Sequence, residues 1–345
     1  MERTGLALPR YDAVTACQGA VTLRTMSTIR WGILSTGRIA NTFAQGLEVL
    51  SDQRVAAVGS RSLASAERMA SAYGARAHGS YEELASDPEV DAIYVATPHS
   101  RHMEDTLLCL DAGKPVLCEK PLALNEAQGR QMIDRARERG VFLMEAMWTR
   151  FNPVTARVRQ LIASGSIGEV RSITGDFGFR GEFDPSGRLF DPHLAGGSLL
   201  DVGVYCVAYA SMIYGDEPEA IVALDDRGST GIDEQCAWIQ RHAGGRMANL
   251  SSAVRTDTAQ QMVICGTKGM IVVPRFFYAD RLVLNGVEEA IPLEGNAYHY
   301  QAIEVQRCLA EGLLESPVIS HDESLAILRT MDRIRAELGL RYPGE

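Results

Sequence analysis

The stretch Ile29-Arg30-Trp31-Gly32-Ile33-Leu34-Ser35-Thr36-Gly37-Arg38-Ile39-Ala40 decides the fold. An apolar run ends in small residues, and a helical pattern follows without a gap. That order reads as a strand, a tight turn and a helix start. Small residues at such a turn let a phosphate approach the backbone, and the first N–H groups of the helix point at it. The dinucleotide fingerprint is G-x-G-x-x-G/A. Here it stands as Ser35-x-Gly37-x-x-Ala40, with serine at the first glycine. By itself the motif reads equally as a phosphate cradle and as a packing turn.

Working outward, apolar strands alternate with amphipathic helices as far as Glu145. Strands are expected at 54–59, 91–96, 115–118 and 141–144, and helices at 39–50 and 102–112. Ser62, Ser80 with Glu83, and Asn125 with Gln128 supply helix caps, and Gly74, Gly113 and Gly140 supply stops. This rhythm specifies a doubly wound parallel α/β sheet over 28–147. Beyond it come a helix at 153–163, a half-buried strand at 168–174, a loop rich in Gly, Pro and Asp at 178–194, and a helix at 197–214. Short strands follow at 220–224, 235–240, 246–254, 261–265, 270–273, 281–284 and 288–292, with Thr267-Lys268-Gly269 as a hairpin-like turn. Helices at 300–312 and 322–338 close the chain. The second domain, 148–345, is thus α+β with a large, mostly antiparallel open sheet, and its last helix is expected to pack back on the first domain. An open sheet needs its outer face covered, so a homodimer through that sheet, or a tetramer built from it, is expected.

The chain has 345 residues, beyond the roughly 250–300 that one core usually supports, which agrees with two domains. Its net charge of −10 argues against nucleic acid or an anionic membrane as partner. The seven cysteines are scattered, with no C-x-x-C, and predict buried free thiols in a reducing, cytoplasmic setting. The seven histidines form no metal-binding pattern, so no metal is expected. Residues 1–27 hold Arg3, Arg10 and Arg24 without a sustained apolar stretch. They read as a flexible extension and not as a signal peptide, and no transmembrane span is expected elsewhere.

Chemistry-bearing residues gather where the strands end. Ser60-Arg61 follows the strand at 54–59, where an NAD enzyme usually carries Asp or Glu for the ribose hydroxyls. Arg61 reads either as a surface arginine or as a clamp for a 2′-phosphate, which favours NADP over NAD. Thr97-Pro98-His99 closes the strand at 91–96, either as a plain turn or as backbone contact to a cofactor. Glu119-Lys120-Pro121 closes the strand at 115–118. A loop lysine is usually solvated, but this one lies where a nicotinamide and a substrate would meet. Asp201 and Tyr205 are four apart and share a helix face. They read either as a solvent-facing acid beside a core tyrosine or as a buried carboxylate awaiting a partner such as a sugar hydroxyl.

Taken with the run Met144-Glu-Ala-Met-Trp148-Thr-Arg150-Phe-Asn-Pro153, with Gly196-Gly-Ser-Leu-Leu-Asp201-Val-Gly-Val-Tyr205 and with Gly266-Thr-Lys-Gly269, these motifs resemble the glucose–fructose oxidoreductase/inositol dehydrogenase (Gfo/Idh/MocA) family. Within it they are most similar to the branch of dimeric dihydrodiol dehydrogenases and NADP-dependent D-xylose dehydrogenases. The likeness runs from Ile29 to the C-terminus. It implies a catalytic pair, Lys120 and Tyr205, flanking the substrate carbinol, with Asp201 binding substrate hydroxyls and Trp148 and Arg150 bordering the nicotinamide end. It implies a cofactor site of Ser35, Thr36, Gly37, Arg38, Ile39, Ser60, Arg61, Thr97, Pro98, His99, Glu119 and Lys120, with Trp148 and Arg150 beside them. A lysine ammonium beside Tyr205 is expected to draw its phenol from about 10 toward working pH. The activity expected is NADP-dependent oxidation of an aldose at its anomeric carbon. Dihydrodiol oxidation or keto-sugar reduction on the same site is the alternative. A cofactor-sensing regulator is the reading from another class, and the presence of both Lys120 and Tyr205 weighs against it.

Overall fold

The computed structural model describes residues 28–343 and 345. The extension expected over 1–27, with Cys17, lies outside the described residues. Six strands, β1 (Ile29–Leu34), β2 (Gln53–Gly59), β3 (Arg76–His78), β4 (Ala92–Val95), β5 (Val116–Glu119) and β6 (Leu143–Ala146), form one sheet in the order β3-β2-β1-β4-β5-β6. Every pairing in it is parallel. Between the strands run α1 (Arg38–Leu47), α2 (Leu63–Tyr73), α3 (Tyr81–Ala85), α4 (His102–Asp111) and α5 (Glu126–Arg139). The caps read from sequence are in place: Ser62, Ser80 and Asn125 accept from the N–H groups of Ser65, Glu83 and Gln128. β3 was not anticipated. Its Arg-Ala-His has no apolar run, and pairing with β2, not hydrophobic pattern, makes it a strand.

The strand order reverses between β1 and β4, which opens a crevice at their carboxyl ends. Below it the core is aromatic. Phe43 stacks on Tyr94 with ring centroids 3.9 Å apart and meets the edge of Trp31 at 5.1 Å. The indole of Trp31 donates to Gln53 Oε1 at 2.8 Å, so its buried N–H is satisfied.

The second half begins with α6 (Pro153–Ala163) and builds a sheet from β7 (Val170–Gly178), β8 (Ala220–Arg227), β9 (Asp233–His242), β10 (Arg246–Ala253), β11 (Met262–Gly266), β12 (Gly269–Val273), β13 (Arg281–Leu284) and β14 (Val287–Ala290). Its order is β14-β13-β12-β11-β7-β10-β9-β8, antiparallel except where β10 lies parallel to β7. Thr267 and Lys268 make the two-residue turn between β11 and β12. Against the inner face lies α7 (Val204–Tyr214), entered through a π-helical turn at Leu199–Gly203. The sequence predicted one regular helix there. The stretch Pro192–Tyr214 is long and apolar enough to cross a membrane, with a mean hydropathy of 1.3, contrary to the expectation that none would be. Of its most apolar 18-residue window 83% is buried within the protein, where α7 forms the core helix of this half.

The last two helices, α8 (His299–Ala310) and α9 (His321–Leu338), return to the first sheet. Gln53 donates to the carbonyl of Ala302 in α8, and Leu325 and Leu328 of α9 pack among Leu122, Met132 and Ile133. Among the described residues Cys109, Cys118, Cys206, Cys236 and Cys308 are buried free thiols, and Cys265 is half-buried.

Candidate active site

The crevice deepens into a cleft of about 540 Å³ between the two sheets. Its floor on one side is the β1–α1 turn. Ser35 adopts φ +99°, the conformation for which the fingerprint ordinarily has glycine. The serine therefore keeps the turn and bears its strain. No side chain caps α1 at Gly37, and a Cβ on that glycine would meet only open space. An uncapped helix start facing a cleft is a site for an anion. These features fit the pyrophosphate of a nicotinamide dinucleotide.

Ser35, Gly37, Arg38 and Ile39 line the cleft, as do Thr97, Pro98, His99, Glu119, Lys120, Trp148, Asp201 and Tyr205. Ser60 and Arg61 lie further out, at the end of β2. The Ser60 hydroxyl accepts from the Ser62 N–H at 3.3 Å, and Arg61 is exposed beside the Tyr81 phenol. Thr36 is half-buried behind the cradle, its carbonyl accepting from the Asn41 side chain.

Arg150 is not where the sequence reading put it. Its guanidinium is buried behind α7, donating to the Ala208 carbonyl at 2.7 Å and to Glu323 at 2.6 Å. It lines a separate cavity, away from the nicotinamide end. The 3₁₀ turn Trp148–Phe151 explains this. At three residues per turn, Trp148 and Arg150 cannot share a side. Trp148 faces the cleft, and Arg150 ties the turn to α7 and to the start of α9.

At the centre stand Lys120, Asp201 and Tyr205. The Lys120–Pro121 bond is cis. The Lys120 ammonium donates to the Asp201 carbonyl at 2.7 Å and lies 3.6 Å from Asp201 Oδ1. Burial pushes the Asp201 carboxyl up, but Lys120 and Arg188 together hold it well below the usual carboxylate range. Arg188 was not singled out from sequence. It donates to Asp201 Oδ1 at 2.7 Å from within the Gly- and Pro-rich loop, where no motif marks it. Tyr298, Phe177, Phe179 and Phe277 also line the cleft and also carry no sequence signal.

The expected effect of Lys120 on Tyr205 is absent. The ammonium sits 4.8 Å from the centroid of the phenol ring, over its face, with its charge directed at Asp201. The Tyr205 hydroxyl accepts instead from the Trp148 indole at 2.9 Å. Burial, with Tyr298 and Glu119 nearby, raises the phenol well above its ordinary value. Glu119 itself is raised by burial and accepts from the Tyr94 hydroxyl. His99 is pushed down to about 3 by burial and by the neighbouring His102 and Lys120, so it stands neutral. His102 contacts the carbonyls of Thr97 and Pro121, pinning together the turns that follow β4 and β5.

A doubly wound sheet, an uncapped helix at its switch point, and a lysine, an acid and a phenol at the far end of one cleft are the parts of a nicotinamide-dependent dehydrogenase. Comparison with known proteins agrees. Residues 29–147 match the model of the oxidoreductase family with an NAD-binding Rossmann fold, and residues 155–272 match the Gfo/Idh/MocA C-terminal domain. A trans-1,2-dihydrobenzene-1,2-diol dehydrogenase from Xenopus laevis is 41% identical over 329 residues, covering 91% of this chain and 99% of the relative. The enzyme of that name from Homo sapiens is 36% identical, covering 91% and 98%. Among solved structures, an aldose–aldose oxidoreductase from Caulobacter crescentus complexed with glycerol superposes with a TM-score of 0.82 at 26% identity, over 90% of this chain and 97% of that one. KijD10, a 3-ketoreductase from Actinomadura kijaniata solved with NADP and TDP-benzene, superposes with a TM-score of 0.83 at 25% identity, over 90% and 98%. The chain belongs to the Gfo/Idh/MocA oxidoreductase family, as an NAD(P)-dependent dehydrogenase acting on CH–OH groups.

Proposed function

We propose that this enzyme uses NADP to oxidise one carbinol of a cyclic trans-diol, with a trans-dihydrodiol as the leading substrate class. The observation that carries the reading is the mixed lining of the cleft. Aromatic side chains of Trp148, Phe177, Phe179, Phe277 and Tyr298 line it together with the ionised group Lys120, Asp201 and Arg188. A flat ring bearing adjacent hydroxyls needs both. The names of the relatives at 36–41% identity support the same class. An aldopyranose, oxidised at its anomeric carbon, is the second reading. It is favoured by the same mixed lining and by the similarity to an aldose–aldose oxidoreductase structure.

Bound NADP would supply the hydride acceptor. The residues that would hold it are the β1–α1 turn, the Thr97–His99 turn and Glu119, with Arg61 reading the 2′-phosphate. Tyr205 takes or gives the carbinol proton at its hydroxyl oxygen. Lys120 orients that oxygen's partner and keeps Asp201 ionised. Asp201 then accepts a hydrogen bond from the second hydroxyl, and the aromatic wall keeps water from the reacting carbon. The exposed apolar row on the outer sheet face supports a homodimer. Val222 and Leu224 of β8 and Ile239 of β9 are 65%, 78% and 45% exposed, with Val222 opposite Ile239.

The test is a screen of trans-dihydrodiols, D-xylose, D-glucose and myo-inositol with NADP and with NAD, following absorbance of the reduced nicotinamide. The reading expects NADP-linked oxidation of a diol or aldose. Turnover should fall by about 10²–10⁴-fold in Tyr205→Phe while NADP binding is retained. Near-normal kcat in that variant, or a preference for NADP over NAD that is unchanged in Arg61→Ala, would refute the assignment.

A further inference from the structure

The catalytic cleft does not end at Arg188. Arg38, Phe179 and Arg188 line both the cleft and a second cavity of about 430 Å³, so the two spaces adjoin across these side chains. Arg180, Glu182 and Asp184, from the loop after β7, form much of the second cavity's remaining wall. Its floor is held firmly. Phe190 packs on the edge of Phe183 at 5.0 Å, and the Arg255 guanidinium lies over both rings. Arg180 is pinned through its main chain, which bridges Arg255 and donates to Asp257 Oδ1 at 3.0 Å.

The charge of this space is unusual for a chain with a net charge of −10. Arg188 commits one nitrogen to Asp201, yet its side chain remains 47% exposed. Among the described residues neither Arg38 nor Arg180 forms an ion pair, and both are exposed. Of the acids on the wall, Asp184 turns its carboxylate into its own loop, accepting from the N–H and the hydroxyl of Ser186 at 2.9 and 2.7 Å. Glu182 is exposed. Arg188 already pairs with Asp201 and Arg38 adjoins the cofactor turn, so Arg180 is the guanidinium that a neutral ring in the main cleft would leave unused.

We propose that this cavity is a subsite for an anionic substituent, a carboxylate or a phosphate, carried on the ring whose carbinol lies at Lys120 and Tyr205. The proposal rests on the reading of the main cleft as a carbinol site. A guanidinium presents five N–H donors in a planar fork that matches either anion. Arg188 can keep one donor on Asp201 and offer others to the substituent. Arg180 lines the same cavity and would supply a second guanidinium to it.

The test uses the full chain loaded with NADP. Calorimetry measures binding of D-glucose, D-glucuronate and a D-glucose monophosphate to the wild type and to Arg180→Gln, and turnover is followed with the same compounds and with a neutral trans-diol. Arg180 lies outside the catalytic cleft, so the variant keeps its behaviour toward neutral ligands. At least one anionic ligand should bind about tenfold or more tighter than D-glucose, and the advantage should vanish in Arg180→Gln and shrink in ~0.5 M salt. Whichever anion gains identifies the substituent. Equal binding of charged and neutral ligands, or an advantage that survives in Arg180→Gln, overturns the subsite. Oxidation of neutral substrates without an anionic gain sinks the subsite alone. An anionic gain in binding without oxidation of any compound sinks the carbinol reading alone.

Discussion

Tyr205 stands in the cleft as a neutral phenol, because burial and its neighbours raise it well above its ordinary value. Taking a proton from a carbinol requires the phenolate, and giving one to a carbonyl requires the phenol. Oxidation should therefore climb steadily from about pH 6 to about pH 10, while reduction stays flat through neutrality. Measuring kcat in both directions across that range checks it, and an oxidation rate that levels off near neutrality would count against Tyr205 as the proton acceptor. Ser35 carries the opposite kind of cost, a backbone strain at φ +99°. Ser35→Gly should raise stability by about 1 kcal/mol in a denaturant titration and leave NADP affinity within a factor of a few. Arg61 and Lys120 were legible in the sequence because each follows a strand of a doubly wound sheet, and Tyr205 because it stands four residues from Asp201 on one helix face. Arg188 was not. It reaches Asp201 from a loop, and loop side chains follow no period that could be read.

Elements were read well where an apolar pattern defined them and less well where hydrogen bonding did. The parallel sheet, the capped helices and the turn at Thr267 and Lys268 follow directly from apolar runs and capping residues. β3 and the π turn do not, since one is set by pairing with β2 and the other by a backbone register that leaves residue types unchanged. Arg150 was misplaced because the motif gives its residue type and not its direction: two residues on from Trp148 in the 3₁₀ turn, its side chain points away from the cleft to Ala208 and Glu323. The π turn is held from outside. Asp233 of β9 accepts from the Ser198 hydroxyl at 2.8 Å and from the Leu199 N–H at 2.7 Å. Gly197 makes the join possible, at φ +122° and with Asp233 Oδ1 within clashing distance of any added Cβ. Gly197→Ala should cost about 2–4 kcal/mol and, in protein that still folds, lower kcat/KM by displacing Asp201. Thermal unfolding and steady-state kinetics together would show it. Wild-type stability in this variant would mean that the join tolerates a side chain.

Across the whole molecule, Glu145 connects the parts. From β6 it accepts from the Leu122 N–H at 3.0 Å, beside the Lys120–Pro121 turn, and from the Ser324 hydroxyl of α9 at 2.7 Å. Burial raises its carboxyl from 4.5 to about 7. The folded protein thus holds this proton more tightly than the unfolded chain. Its contribution is complete below about pH 4.5 and is lost as pH rises through about 7. Glu145→Gln should therefore gain on the wild type by up to roughly 3 kcal/mol between about pH 5 and about pH 8, read by chemical denaturation at each pH. A pH-independent difference would show that Glu145 does not change its protonation there. On the outer sheet face, the proposed homodimer predicts that Leu224→Arg is monomeric by light scattering where the wild type is dimeric, since a charge would enter the apolar row of Val222, Leu224 and Ile239. A wild type that is already monomeric would remove the dimer from the proposal. The π turn has one more consequence, in the history of the chain. Such a turn is an α-helix holding one residue more than its hydrogen bonds require, so its two forms differ by a single codon. Each residue turns an α-helix by about 100°, so losing that codon would swing the residues on one side of it round the axis relative to those on the other. An ancestor without the insertion would have had the same core helix with its acid facing elsewhere. The difference between a scaffold and an enzyme is then open to one insertion, and reversal by one deletion is the simplest way for a descendant to keep the fold and abandon the chemistry.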